Sequence, residues 1–211
     1  SLFMSKRLNI GLVLPALPGY SETFFNNKIN GLLEFGYKVS LFVIEKTHKN
    51  KEFELIPIYY QVDTKNKFKL FFTFTSTIIL HPFRCWKLLT LEMQSHGLLT
   101  DTLKHIIINS HIIGKQLDWI HFGFATSALG RENLALAMGI KAAVSFRGFD
   151  IGLYPYQHLG CYNLLWKKID KVHTISDDLY QKAVQLGLDV KTPFEKITPA
   201  INTQFFKSNS F

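Results

Sequence analysis

Residues Leu8 to Phe35 constrain the fold more than any other stretch of the chain. They run as an apolar strand, a sharp loop and a helix. Leu8-Asn9-Ile10-Gly11-Leu12-Val13-Leu14 suits a strand buried on both faces, as in a parallel sheet. Pro15, Pro18 and Gly19 end it. Ser21 is a good N-cap, and Glu22 places negative charge in the first helical turn. Phe24, Phe25, Ile29, Leu32 and Leu33 then recur at helical spacing until Gly36. The loop leaving the first parallel strand is where open α/β sheets bind ligands, and the N–H groups of the following helix attract anions. The same residues also fit the first β-α unit of any α/β protein.

Downstream, Tyr37–Ile44 alternates and is rich in β-formers, so it reads as a second strand. Glu45–Glu54 is a charged loop. Phe53–Gln61 contains Pro57 and reads as an edge or irregular strand. Two helices are expected over Phe83–Gln94 and Leu98–Gly114. A β/α rhythm then returns: strand Leu117–Phe122, helix Ala125–Met138, strand Ile140–Phe146, helix Tyr156–Trp166 and strand Lys171–Ile175. A helix capped by Ser176 and a last short strand at Glu195–Thr198 follow. Alternation on this scale predicts an α/β fold: a Rossmann-like, doubly wound, mostly parallel sheet with helices on both faces. The 211 residues, 47% hydrophobic, suffice for one such domain or one with a small appendage.

The stretch from Lys65 to Lys87 is unusual. Phe68-Lys69-Leu70-Phe71-Phe72 and Ile78-Ile79-Leu80 are very apolar, with Lys65, Lys67, Arg84 and Lys87 around them. It is too short to span a bilayer. Two readings stand: an in-plane helix that pushes phenylalanines into an anionic membrane surface, or a core-facing helix or a subdomain that packs on its neighbours. The second is preferred, because a domain of this size needs such helices.

Composition narrows the chemistry. A formal charge of +8 points to acidic partners such as phosphates, anionic headgroups or nucleic acid. Cys85 and Cys161 are far apart, which fits a reducing cytoplasm and gives neither a disulfide framework nor a metal site. His96, His105 and His111 have no metal-ligand spacing. The first apolar run is a strand, so no signal peptide is expected, and Ser1-Leu2-Phe3 before Met4 resembles a cloning scar. There is no G-x-G-x-x-G after the first strand, no P-loop and no G-x-S-x-G elbow. Nothing beyond net charge suggests nucleic-acid binding.

The candidate site residues all follow strands. They are Gly19, Tyr20, Ser21 and Glu22; His121 and Gly123; Arg147, Gly148 and Asp150; and Ser176. In a parallel sheet these loops open on one edge. Glycine beside each polar group lets backbone N–H groups approach a phosphate. Arg147 can clamp a phosphate or carboxylate with its planar fork, and His121 can donate or exchange a proton near neutral pH. Equally, His121 could bond a neighbouring carbonyl, Arg147 and Asp150 could pair only with each other, and Gly148 could be a turn residue.

Five segments in order resemble glycosyltransferase family 4. Pro18-Gly19-Tyr20-Ser21-Glu22-Thr23-Phe24 with Gly36-Tyr37-Lys38-Val39 is similar to its opening. Ile120-His121-Phe122-Gly123 is similar to its "H-x-H-F" strand, and Val144–Ile151 to "T-x-H-G-x-D-I". Asp170–Ser176 and Lys196–Phe205 resemble its last two motifs. The likeness is nearest to bacterial members that build capsule, exopolysaccharide or lipopolysaccharide. It implies a GT-B architecture of two Rossmann-like domains, with residues 1–205 as the acceptor-side half. Residues 206–211 would begin the crossover to a donor-binding half with an E-x7-E pair.

The resemblance also implies metal-independent, retaining transfer of a hexosyl group from a nucleotide diphosphate sugar. The acceptor would be a glycan or lipid-linked molecule at the inner face of the cell membrane, and the isolated half would be inactive. By the same likeness the Gly19 loop, with Tyr20, Ser21 and Glu22, would face the donor phosphates. His121 and Asp150 would line the acceptor side. Arg147 stands where many members have histidine. It stays protonated and cannot be an ordinary general base, so it is expected to bind phosphate. A second class of function stays open: a non-catalytic binding subunit of a polysaccharide-assembly complex.

Overall fold

The structure is a computed structural model that describes residues 7–19, 23–46, 53 and 55–197. Seven strands form one all-parallel sheet: β1 (Asn9–Leu14), β2 (Lys38–Val43), β3 (Ile58–Tyr60), β4 (Trp119–Phe122), β5 (Lys141–Phe146), β6 (Lys171–Thr174) and β7 (Phe194–Lys196). Their order is β3-β2-β1-β4-β5-β6-β7. The chain therefore winds outward one way from β1, then crosses back to β4 and winds the other way. The expected doubly wound sheet is present. The helices are α1 (Thr23–Glu34), α2 (Lys67–Leu80), α3 (Pro82–His96), α4 (Leu99–Ile113), α5 (Leu134–Met138), α6 (Phe149–Gly152), α7 (Tyr154–Gln157), α8 (Asn163–Lys168) and α9 (Asp177–Gln185).

Side chains alternate between two cores. Leu12, Leu14, Val39, Leu41 and Val43 point to one face and pack on Phe25 and Ile29 of α1. Val13, Phe42, Ile120, Phe122 and Val144 point to the other face, under the remaining helices. Among the described residues, α1 is the sole helix that packs on its face. Its residues sit well for this: Phe25 and Ile29 are buried, while Asn27 and Asn30 are exposed.

Two expectations are corrected. The helix over Ala125–Met138 is instead a 3-10 turn at Ala125–Ala128 and the short α5, because Gly130 adopts a positive φ of 73° between them. The helix over Tyr156–Trp166 is likewise divided, with Gly160 at φ 72° before α8. The preferred reading of the Lys65–Lys87 stretch holds for one side of α2, which packs on its neighbours α3 and α4 and turns Phe74 toward the core. Within α2 only Thr77 is fully buried. Phe68, Phe71, Phe72 and Ile79 of α2 are exposed, as are Phe83 and Trp86 of α3. Cys85, Leu88, Ile106 and Ile112 of α3 and α4 already fill the core on that side, so α2 forms an outer layer in which Phe74 packs inward while Phe68, Phe71 and Phe72 stay exposed.

Because α1 alone covers its face, truncating its central contact should be costly. Ile29→Ala removes a fully buried side chain and is expected to lower unfolding free energy by about 2–5 kcal/mol, measured by urea denaturation.

Candidate functional site

Parallel pairing brings the carboxyl ends of β1, β4, β5 and β6 to one edge. Their exit loops carry Gly19, Gly123, Arg147 with Gly148, and Ser176. Tyr20, Ser21 and Glu22 lie outside the described residues. The predicted convergence is therefore real for the loops, although their side chains play different parts.

Asp150 binds the rim together. It is buried, and one carboxylate oxygen accepts from the backbone N–H groups of Arg147 at 3.0 Å and Gly148 at 3.1 Å. The other accepts from the N–H of Ala125 at 3.0 Å. One carboxylate thus ties the loop after β4 to the loop after β5, and the Tyr162 hydroxyl donates to the Asp150 carbonyl at 2.7 Å beneath them. The side-chain pair between Arg147 and Asp150 is not formed. Arg147 instead lays its guanidinium over the Phe24 ring of α1, 4.2 Å from the ring centre, and its Nε is buried with no hydrogen-bond partner.

The two glycines differ. A Cβ on Gly123 would meet Leu14 at 2.5 Å and Phe25 at 2.9 Å, so this glycine lets α1 pack on the sheet. At Gly148 and Gly19 the space where a Cβ would stand is open, and backbone can be approached there. Ser176 caps α9, its hydroxyl accepting from the N–H of Leu179 at 3.3 Å, as its position before Asp177-Asp178 predicts.

His121 turns away from the rim, under α1. Its Nε2 lies 2.8 Å from Ser145 Oγ and 2.8 Å from Lys28 Nζ. Lys28 Nζ also donates to Ser145 Oγ at 3.1 Å and lies 3.4 Å from His173 Nδ1. Burial first, then the Arg147 charge, push the Lys28 ammonium from its ordinary 10.5 down to about 7. Burial and the Lys28 charge push His173 down to about 4 and hold His121 well below the usual imidazole range. Sequence inspection missed Lys28, Ser145 and His173. The available signal was Lys28 itself, a lysine on the same helical arc as Phe25, Ile29 and Leu32.

Chemically, the edge offers open space beside Gly19 and Gly148, while the Gly148 N–H is held by Asp150 and the Arg147 guanidinium stacks on Phe24 of α1. It is an open shelf. Cavities of about 550 and 590 Å³ lie elsewhere, at the amino edge of β4–β5 and between α1 and β6–β7.

No protein-family model matches the sequence, and no curated protein matches it. Solved structures do match in fold. The Anabaena protein Alr3699/HepE, crystallised with UDP and glucose, aligns at a TM-score of 0.54 with 12% identity, over 96% of this chain and 47% of that one. The lipopolysaccharide outer core galactosyltransferase WaaB aligns at a TM-score of 0.52 with 11% identity, over 92% of this chain and 46% of that one. The chain thus spans about half the length of the structures it resembles. Its fold is the Rossmann-like fold of GT-B glycosyltransferase domains.

Two outcomes follow from these contacts. Gly123→Ala should destabilise by about 1–3 kcal/mol through overpacking, while Gly148→Ala should be close to neutral; thermal melts of both variants check this. Below its ordinary pKa the unfolded lysine keeps its proton, whereas folded Lys28 releases it near 7. Between pH 7 and 9 the unfolded chain therefore binds more protons, and stability rises with pH. Urea midpoints should climb over that range, and Lys28→Met should flatten the climb.

Proposed function

We propose that the chain is the acceptor-side half of a retaining glycosyltransferase that moves a sugar from a nucleotide diphosphate sugar to a glycan or lipid-linked acceptor. The observation that carries this reading is the convergence of the β1, β4 and β5 exit loops, with Arg147 and open backbone at Gly19 and Gly148, on one edge of a GT-B-type sheet. The open shelf fits a cleft completed by a second body, and a chain spanning about half of HepE and WaaB fits one of two halves. On this reading residues 1–205 are that half, and residues 206–211 lead toward the donor-binding domain.

Transfer needs a stabilised leaving diphosphate and an acceptor hydroxyl held near the anomeric carbon. The rim leaves room at Gly19 and Gly148 for the diphosphate to approach, and Arg147 supplies fixed positive charge for the first task. Asp150 keeps the two rim loops in register. His121, buried beneath α1, supports the shelf from below. The reading requires no metal. Arg147→Ala in a full-length enzyme should lower kcat/KM by about 10²–10³-fold, the scale of losing one charge-stabilising group. Unchanged turnover would remove Arg147 from the mechanism.

The same reading places the protein at the inner face of a membrane. No helix among the described residues is long and apolar enough to cross one. Support comes from Phe68, Phe71, Phe72, Phe83 and Trp86, exposed beside Lys65, Lys67, Lys69 and Lys87. Aromatics of this kind enter the interface while lysines meet anionic headgroups. The folded chain should co-sediment with phosphatidylglycerol vesicles at low salt, and Phe71→Ser with Phe72→Ser should reduce that binding. Failure of the unaltered chain to bind would remove the membrane contact.

A further inference from the structure

At the amino edge of β4 and β5, bordered by α3, α5 and α8, lies a cavity of about 550 Å³, a size suited to a small organic molecule. Leu117, Leu136 and Ile140 give it apolar lining, and the space beside Gly139 is open. Four lysines line it as well: Lys87 from α3, Lys141 from the start of β5, and Lys167 and Lys168 from the last turn of α8. Lys141 begins the strand that Arg147 follows, so this cavity lies at the opposite edge of the sheet from the shelf.

The charges around this cavity do not balance. Two carboxylates line it, and both are engaged. Asp170 accepts from Lys141 Nζ at 2.7 Å and from the backbone N–H of Ala142 at 2.8 Å. Asp118 accepts from the backbone N–H of Asn9 at 2.8 Å. Among the described residues, no carboxylate lies within ion-pair distance of Lys87, Lys167 or Lys168. The carbonyl end of a helix favours cations, which accounts for Lys167 and Lys168 at the end of α8. It does not account for Lys87, which a different helix brings to the same cavity. A cleft lined by one sign of charge beside low-dielectric walls focuses its field and concentrates counter-ions. A dianionic group among the three lysines would relieve their mutual repulsion.

We propose that this cavity binds an organic phosphomonoester, its phosphate held by Lys87, Lys167 and Lys168 and its organic part resting on Leu117, Leu136 and Ile140. A phosphomonoester suits three ammonium groups better than a carboxylate does, because above pH 7 it carries about two negative charges and three strong acceptor oxygens. The same chemistry comes from two sources, a soluble phosphorylated compound or a lipid headgroup. Phe83 and Trp86, exposed beside Lys87 on α3, put apolar surface at the border of the cavity, as a lipid would require. The inference goes beyond the transferase reading and does not depend on it, since a soluble probe reads the cavity with neither a donor sugar nor a membrane present.

The test is a titration of the isotope-labelled chain with glycerol 3-phosphate at pH 8 and low salt, followed by amide NMR shifts. The shifts should saturate at millimolar concentration and cluster at Leu117–Asp118, Gly139–Lys141 and Lys167–Asp170. Dimethyl phosphate, with a single negative charge, should bind more weakly. Lys167→Ser combined with Lys168→Ser should weaken binding roughly fivefold or more, and Lys87→Ser should weaken it as well. Lys46→Ser removes an exposed charge beyond the other end of β2 and should leave binding unchanged. Phosphatidic acid vesicles separate the two sources: competition with glycerol 3-phosphate assigns the site to a lipid headgroup, and lack of competition assigns it to a soluble phosphomonoester. No shifts at the cavity, shifts unaltered by the paired Lys167 and Lys168 substitutions, or an equal loss in Lys46→Ser would overturn the proposal.

Discussion

One buried carboxylate organises the carboxyl edge of the sheet. Parallel pairing delivers four exit loops to the same side of the sheet, but pairing ends where each strand ends. Beyond that point the loops after β4 and β5 need another constraint, and Asp150 supplies it with three backbone N–H groups drawn from both. A carboxylate bonded by backbone donors is held more firmly than a neutral acceptor would be. The consequence is a fixed shelf: Gly148 stays open, and the main chain of Arg147 is pinned while its side chain reaches back to α1.

The second constraint is the solitary position of α1. Phe25 and Ile29 dock it on β1 and β2, and Gly123 leaves room for that docking. Toward β5 and β6 the same helix meets polar groups. Lys28 there reaches over His121, Ser145 and His173 in a cluster that opposes its own protonation. A fold selected for stability alone would place an apolar residue at Lys28.

Much of the fold was legible in the sequence, for physical reasons that differ by element. The β1 run and the β/α rhythm after Leu117 are strong signals because buried parallel strands and amphipathic helices impose distinct periods. The breaks at Gly130 and Gly160 were harder to read, since a glycine in a helical pattern ends the helix only when tertiary contacts favour its positive φ. How α2 divides between packed and exposed sides was harder to read, because an apolar helix has the same composition whether it faces a core or a lipid surface. At the site, strand-exit positions located the rim, but not which residues face it. His121 turned inward because strand alternation put it on the α1 face opposite Ile120 and Phe122. Lys28, 93 residues from His121 and farther from Ser145 and His173, has no local signature beyond its helical arc.

Hydrogen exchange mapped on the longer enzyme that the proposed function implies, with and without UDP-glucose, tests the central claim most directly. The account predicts added protection at backbone amides of the carboxyl edge, at Gly19 and in the loop from Arg147 to Gly152. Protection confined to the amino edge, around Lys38 and Lys141, would contradict it.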